Sequence, residues 1–154
     1  GISFALAYGI VDLRIDHNTG FQNGTLASMG EHPLNTPAYP FVLPHIQFVF
    51  QDNIFPITGG INGSGTAAGN ASLNYYASGY TFLKNVLQGA NSAIYPANNF
   101  FPPLISDIQF VNYNGGLFGD YRLLPTSPYK NQGTNGKDVG ARAGAVVSAV
   151  TGVQ

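Results

Sequence analysis

A short strand-like motif ending in asparagine recurs three times along this 154-residue chain. Each copy has an apolar residue, two other residues, an asparagine and a β-branched residue. The copies are Ile15 to Thr19, Phe50 to Ile54 and Phe82 to Val86. Their asparagines, Asn18, Asn53 and Asn85, lie 35 and 32 residues apart. Recurrence at this interval is typical of chains built from stacked structural repeats.

The residues that precede each asparagine alternate between apolar and other side chains, which is the periodicity of a β-strand. Strands that return every 30-odd residues fit the coils of a parallel solenoid, in which equivalent residues stack about 4.8 Å apart. Each copy has apolar residues on one face: Val11, Leu13 and Ile15; Ile46, Phe48 and Phe50; Tyr80 and Phe82. We expect two inward columns, Leu13/Phe48/Tyr80 and Ile15/Phe50/Phe82, beside an internal ladder of Asn18, Asn53 and Asn85.

Composition excludes several other classes of protein. Only 8% of residues are charged and the net charge is −1, yet the chain has 9 Tyr and 11 Phe, which argues against disorder. An unbroken apolar run of about 18–20 residues is absent, so we predict no membrane span. The basic residues form no run, which argues against nucleic acid as a partner. With no cysteine and abundant Asn, Gly and Tyr, the composition favours an extracellular or cell-surface location.

Several stretches together resemble one known family. These are Arg14 to Thr19, Phe48 to Ile54, Leu73 to Tyr76, Phe82 to Leu87, Ile94 to Pro102, and a closing run from Arg122 to Pro128 followed by Gly133 to Gly140. The chain resembles the C-terminal part of a secreted bacterial right-handed parallel β-helix repeat protein of the pectin-lyase-like superfamily. Asn135 departs from the closing motif, where Asp is commoner. The resemblance implies an all-β, right-handed parallel β-helix of about three coils plus a closing coil.

The two ends of the chain lead to different expectations. Residues 1–138 are interpreted as coils with long loops, including 27–44 and 56–72, and residues 139–154 as a C-terminal cap. Five residues at helical spacing predict a short capping helix there: Val139, Ala143, Val146, Val147 and Val150. The apolar N-terminal stretch shows no comparable cap. We expect either a fragment or processed part of a longer chain, or self-association through that end.

The densest polar cluster comprises Asp12, Arg14, Asp16 and His17. The first three would share the outward face of a strand, and the family resemblance implies that such faces carry acidic residues, calcium and a basic proton acceptor in polysaccharide-cleaving members. The competing interpretation is an exposed Asp–Arg–Asp pairing of little energetic weight. Adjacent coils would place Gln47, Val49, Gln51, Gly79, Thr81 and Leu83 at equivalent positions. Because no acid recurs beside the cluster, we expect surface pairing rather than catalysis.

A second column, His17, Asp52 and Lys84, is interpreted as a charge-compensated surface ladder, with a tuned histidine base as the alternative. His32 and His45 lie in Pro-rich contexts without metal-ligand spacing, so no metal and no cofactor is predicted. Tyr75, Tyr76 and Tyr95 fall in loop-like segments and are candidates for stacking on sugar rings. The alternative is that these rings pack the loops against the flank of the coils.

We therefore expect a non-catalytic extracellular or cell-surface β-helix module with a structural role, and with carbohydrate binding and self-assembly as candidate activities. The alternative is part of a polysaccharide lyase or glycoside hydrolase. Its active site would lie on an outward β-helix face or in N-terminal coils outside this sequence.

Overall fold

The computed structural model describes residues 1–7, 9–30, 44–63 and 66–142. These ranges form a mainly β protein with parallel strands in several small sheets and one short helix, α1 (Asn70–Tyr76). The strands are β1 (Ile2–Leu6), β2 (Arg14–Asp16), β3 (Thr25–Met29), β4 (His45–Ile46), β5 (Val49–Gln51), β6 (Ile54–Pro56), β7 (Ile61–Gly63), β8 (Ala77–Ser78), β9 (Thr81–Leu83), β10 (Val86–Gln88), β11 (Phe110–Asn112) and β12 (Asp120–Leu123). Three short 3-10 helices span Ser92–Ile94, Ile105–Ile108 and Asn114–Gly116.

Parallel pairing dominates the first 100 residues, which we call the body. Its sheets have the strand orders β1-β3-β7, β2-β5-β9, β4-β8 and β6-β10. In the sheet β2-β5-β9, Ile15 pairs with Phe50 and Phe50 pairs with Phe82. The period-two pattern therefore predicted this register correctly, with the partners 35 and 32 residues apart.

Left-handed residues interrupt the alternation on both sides of these short strands. Asp12 and Gln47, with φ of 57° and 56°, precede β2 and β5, and Gly79 has φ of 68° before β9. The chain bends at these points. The prediction that Val11 and Ile46 share the inward face is wrong for this reason, because they lie before the bend and are 58% and 47% exposed.

The core of the body is an aromatic stack between the sheets. Phe50 lies nearly parallel to Phe82 with ring centroids 5.2 Å apart, and Phe82 stacks in turn on Tyr95 at 6.1 Å. Phe4 meets Phe50 edge-on at 6.1 Å. Offset and edge-on ring pairs contribute about 0.5–1.5 kcal/mol each beyond the burial of their surface. The close stacking of Phe50 on Phe82 follows from the pairing of β5 with β9.

Residues 104–142, which we call the closing region, are organised differently. β11 and β12 form an antiparallel pair, and irregular turns follow to residue 142. Ile108, Phe110, Leu123, Tyr129 and Val139 pack with Ile54 and Val86 of the body in a second core cluster. The closing region is thus anchored on one flank of the body.

Several sequence expectations fail at the level of single elements. The sequence predicts loops over 27–44 and 56–72, but these ranges overlap β3, β7 and the start of α1. Residues 31–43 and 64–65 of these predicted loops lie outside the described residues. The helix expected from Val139 does not begin there, since residues 139–142 are irregular and Val139 is a buried core residue. The rest of the predicted cap, residues 143–154, lies outside the described residues.

Helices of membrane-spanning length and hydropathy are absent from the described ranges. The longest, α1, has seven residues.

Candidate functional site

Four asparagines form one hydrogen-bonded column through the body. The Nδ2 of Asn18 donates to Oδ1 of Asn53 at 3.0 Å, Asn53 donates to Asn85 at 3.0 Å, and Asn85 donates to Asn99 at 3.0 Å. Each of these Oδ1 atoms also accepts the backbone N–H of the preceding asparagine. The side chains of Asn53 and Asn85 further bond the carbonyls of Ile15 and Phe50. Buried amides are therefore satisfied between layers, as buried polar groups require.

The fourth member, Asn99, is absent from the predicted ladder. It follows Asn85 by only 14 residues, and Pro96 occupies the apolar position of its motif. The asparagines are also not the left-handed residues of the bend. The residue before each one takes that geometry: His17, Asp52, Lys84 and Asn98 have φ between 52° and 64°.

The outward cluster on β2 contains one ion pair. Arg14 Nε donates to Asp16 Oδ2 at 2.7 Å, and both side chains are substantially exposed. Asp12 lies in the left-handed bend rather than in the strand, so strand alternation does not bring it to the same face. The neighbouring positions are those expected from the spacing, with Arg14 paired to Val49 and Asp16 to Gln51. The expected Asp–Arg–Asp arrangement is therefore reduced to a single pair.

Asp52 is buried rather than part of a surface ladder. Its carboxylate is covered by the closing region and accepts hydrogen bonds from the backbone N–H of Thr134, at 2.8 Å, and from the Thr134 hydroxyl. His17 Nε2 lies 3.9 Å from Asp52 Oδ2 and 3.2 Å from Asn135 Nδ2. Lys84 instead lies over the Phe100 ring at 5.4 Å. His17, Asp52 and Lys84 occupy equivalent positions, as predicted. Their side chains contact different partners, so they do not form one charge-compensated ladder.

Two of the three candidate tyrosines face the interior. Tyr76 and Tyr95 are 2% and 4% exposed, and their rings belong to the main core cluster. The Tyr95 hydroxyl accepts the N–H of Ile61 at 3.2 Å, and burial raises the pKa of Tyr95. Tyr75, at the exposed side of α1, is half exposed and meets Tyr76 edge-on at 4.8 Å. Burial thus removes Tyr76 and Tyr95 as sugar-stacking surfaces.

His45 is a buried core residue. Its Nδ1 accepts the N–H of Ile10 at 3.1 Å, so the neutral ring carries its proton on Nε2. Burial lowers the pKa of His45, and the Leu6 carbonyl opposes this only in part. His32 lies outside the described residues. Within the described ranges, no three His, Cys, Asp or Glu side chains gather as a metal-binding group.

An open groove of about 610 Å³ lies in the closing region, where sequence reasoning placed no site. Cationic residues and apolar residues line it together: Val111, Arg122, Leu123, Pro125, Lys130, Asn131, Lys137, Asp138, Val139, Ala141 and Arg142. Its size is within the range of about 300–1,000 Å³ usual for small-molecule sites. We call it the cationic groove.

Two of the four cations in the groove have carboxylate partners. Arg122 Nε donates to Asp120 Oδ1 at 2.8 Å, and this guanidinium lowers the pKa of the Asp120 carboxyl. Lys130 Nζ bonds Asp138 Oδ2 at 2.8 Å. The sequence does carry a signal for the groove, because four of the six basic residues lie within positions 122–142, although they are not consecutive.

No protein family, curated protein or solved structure compared with this chain matches it. The resemblance to the pectin-lyase-like superfamily therefore rests on the residues of this chain alone.

Proposed function

We propose that this chain is a right-handed parallel β-helix module that acts outside the cell or at its surface, as a rigid scaffold that binds carbohydrate without cleaving it. The stacking of equivalent residues supports the β-helix. Ile15, Phe50 and Phe82 pair in one parallel sheet, and the asparagine column runs beside them through four layers. A ladder of this kind ties each layer to the next through side-chain as well as backbone hydrogen bonds.

The observation that carries the non-catalytic role is the use of Asp52 as a structural acceptor. A general acid or base must reach the proton it transfers, within about 2.6–3.2 Å. Asp52 is fully buried, and both carboxylate oxygens accept hydrogen bonds from Thr134. Asp16 is engaged by Arg14 on the outer surface. Asp52 therefore joins the closing region to the body, and Asp16 is engaged in an exposed ion pair.

Carbohydrate binding is supported by the composition of the chain. Charged residues are sparse, and amide, hydroxyl and aromatic side chains supply most of the polar character. Rings with a polar handle and amides suit sugar faces and hydroxyls. Tyr75 contributes one half-exposed ring of this kind.

Self-association remains part of the proposal through the N-terminal side of the body. β1 pairs with β3 alone and β2 with β5 alone among the described strands, so each leaves one edge without a partner strand in that part of the chain. Ile2 and Val11 are 55% and 58% exposed near these edges. Unpaired edges with apolar neighbours are surfaces on which other strands add.

Binding and cleavage are separable in one experiment. Purified protein is sedimented with a panel of insoluble polysaccharides while the supernatants are assayed for released reducing ends and for unsaturated products. We expect retention on at least one polysaccharide without product. Product release that disappears in the variant Asp16→Asn, but persists in Asp12→Asn, would instead establish the lyase or hydrolase alternative. Retention on none of the polysaccharides would contradict the binding role.

A further inference from the structure

Most of the basic residues of the chain lie in the cationic groove rather than being spread over the protein. Four of the six basic residues of the chain line it: Arg122, Lys130, Lys137 and Arg142. Residues 1–103 contain the other two, Arg14 and Lys84, against four acidic residues. A protein of net charge −1 thus presents four of its six Lys and Arg side chains in one groove of the closing region, where they can attract an anion.

Two of these cations have no carboxylate partner within the described residues. Asp120 engages Arg122 and Asp138 engages Lys130, whereas Lys137 and Arg142 are exposed and make no ion pair in that part of the chain. Residues 143–154 contain no Asp or Glu, so that segment supplies no acidic side chain to neutralise them. Among the described residues, the groove therefore combines two cations in ion pairs with two that make none.

The walls between the cations are apolar. Val111 and Pro125 are exposed and offer hydrocarbon surface rather than further hydrogen-bond donors, whereas Leu123 and Val139 line the groove from nearly buried positions. A ligand that fits must have apolar faces and also anionic groups at its edge. A sugar ring that carries a carboxylate or a sulfate has both properties. Two free cations are few for a nucleic acid, whose binding depends on many phosphate contacts.

We propose that the cationic groove binds carboxylate or sulfate groups of an acidic glycan through Lys137 and Arg142. This inference rests on the proposed carbohydrate-binding role and gives it a ligand class and a site. Arg142 is able to meet an anion through two parallel N–H groups, and Lys137 acts as a point charge beside it. The apolar wall then contacts the sugar ring.

The test is calorimetric titration with three oligosaccharides of equal length: a carboxylated oligogalacturonate, a sulfated galactan and a neutral galactan. We expect an acidic probe to bind at least about tenfold more tightly than the neutral one, because a charge-assisted hydrogen bond is about twice as strong as a neutral one. Its affinity should fall as salt rises, since exposed charges are screened. The tighter of the two acidic probes identifies which anionic group the groove prefers.

The double variant Lys137→Gln, Arg142→Gln should lose most of this preference, with about tenfold or greater weakening toward the acidic probe. Lys84→Gln removes one basic residue outside the groove and should bind as the parent does. Far-ultraviolet circular dichroism of each variant confirms that the fold is retained.

Unchanged acidic binding in the double variant overturns the assignment of this groove while leaving carbohydrate binding intact. Equal affinity for the neutral and acidic probes also overturns the assignment of this groove while leaving carbohydrate binding intact. Binding of none of the three, with retention on an insoluble polysaccharide, overturns the inference alone, whereas failure in both experiments removes the proposed function as well. Tighter binding of single-stranded DNA than of either acidic glycan would replace the ligand class.

Discussion

The body and the closing region are held by hydrogen bonds of different range. In the sheet β2-β5-β9 of the body, paired residues are 32 and 35 positions apart, so each strand depends on its neighbouring layers. In the closing region many bonds are local: Ser127 N–H donates to the Leu124 carbonyl, and Gly136 N–H donates to the Gly133 carbonyl. Asp52 and Thr134 join the two regions. We infer that the body is the cooperative unit and that the closing region is an attachment to it.

Breaking the asparagine column should have the largest effect. In Asn53→Leu, the Ile15 carbonyl loses its side-chain donor and Asn18 loses the acceptor for both its backbone N–H and its Nδ2. A buried polar group left without a partner costs about 1–3 kcal/mol. The Ile15 carbonyl is buried, whereas Asn18 is exposed and water replaces part of its lost acceptor, so we expect about 2–4 kcal/mol of lost stability. Chemical denaturation followed by circular dichroism measures this loss.

Asn23→Ala is the matched control, because Asn23 is exposed and lies outside the column. Its unfolding midpoint should lie close to that of the parent. If Asn53→Leu also unfolded at the parental midpoint, the column would be incidental to the stability of the body.

Asp52→Asn should weaken the attachment of the closing region to the body while leaving the body folded. The amide replaces one acceptor oxygen by a donor that faces Thr134, so a charge-assisted bond is lost at a cost of about 1.5–3 kcal/mol. Hydrogen exchange should accelerate in residues 129–142 and stay slow in β5 and β9.

Asp12→Asn is the control for backbone geometry, since Asp12 has φ of 57° and Asp52 has φ of 56°. Exchange that accelerates equally in the body and the closing region of Asp52→Asn would show that the two form a single cooperative unit.

Mild acid should act on the body through His45, with the smallest of the three effects. Burial lowers the pKa of His45 below its ordinary value of 6.5, so the unfolded chain binds a proton more readily than the folded one. The stabilisation from the neutral ring is complete above about pH 6.5 and declines as the pH falls from there toward the lowered pKa.

Denaturation midpoints measured between about pH 8 and pH 5 in the parent and in His45→Asn test this linkage. The asparagine retains an acceptor for Ile10 N–H but does not titrate, so its midpoint should change less with pH. A parallel decline in both proteins would place the acid sensitivity elsewhere.

The repeated motif predicted the strand register and the inward face, which follow from the sequence period. It did not predict the elements whose formation depends on tertiary contacts. Ile15, Phe50 and Phe82 fall in register because alternation and the following asparagine fix both face and position. The sequence did not predict strands at β3 and β7, because they lack the motif and lie beside Gly, Pro and Asn residues that are typical of loops. Helix α1 likewise contains two asparagines and a serine, which are weak helix formers, and packs its Leu73 and Tyr76 into the core.

The candidate sites show the same division. Spacing correctly placed Val49 and Gln51 beside Arg14 and Asp16, because these positions follow from the register. The burial of Asp52 depends on Thr134, 82 residues away in a region without periodicity. The cationic groove joins β12 to turns that follow it, so only the folded chain brings Arg122 near Arg142.

The asparagine column also has a direction. Each of the first three ladder asparagines donates a hydrogen bond to the next. The last, Asn99, donates from its Nδ2 to the carbonyls of Phe82 and Pro96. At the opposite end, Asn18 Oδ1 accepts no hydrogen bond from the described residues, so the column terminates there in an acceptor. Two molecules meeting face to face through this end would oppose one acceptor with another. The two ends of the column are therefore chemically different, with an acceptor at Asn18 and satisfied donors at Asn99.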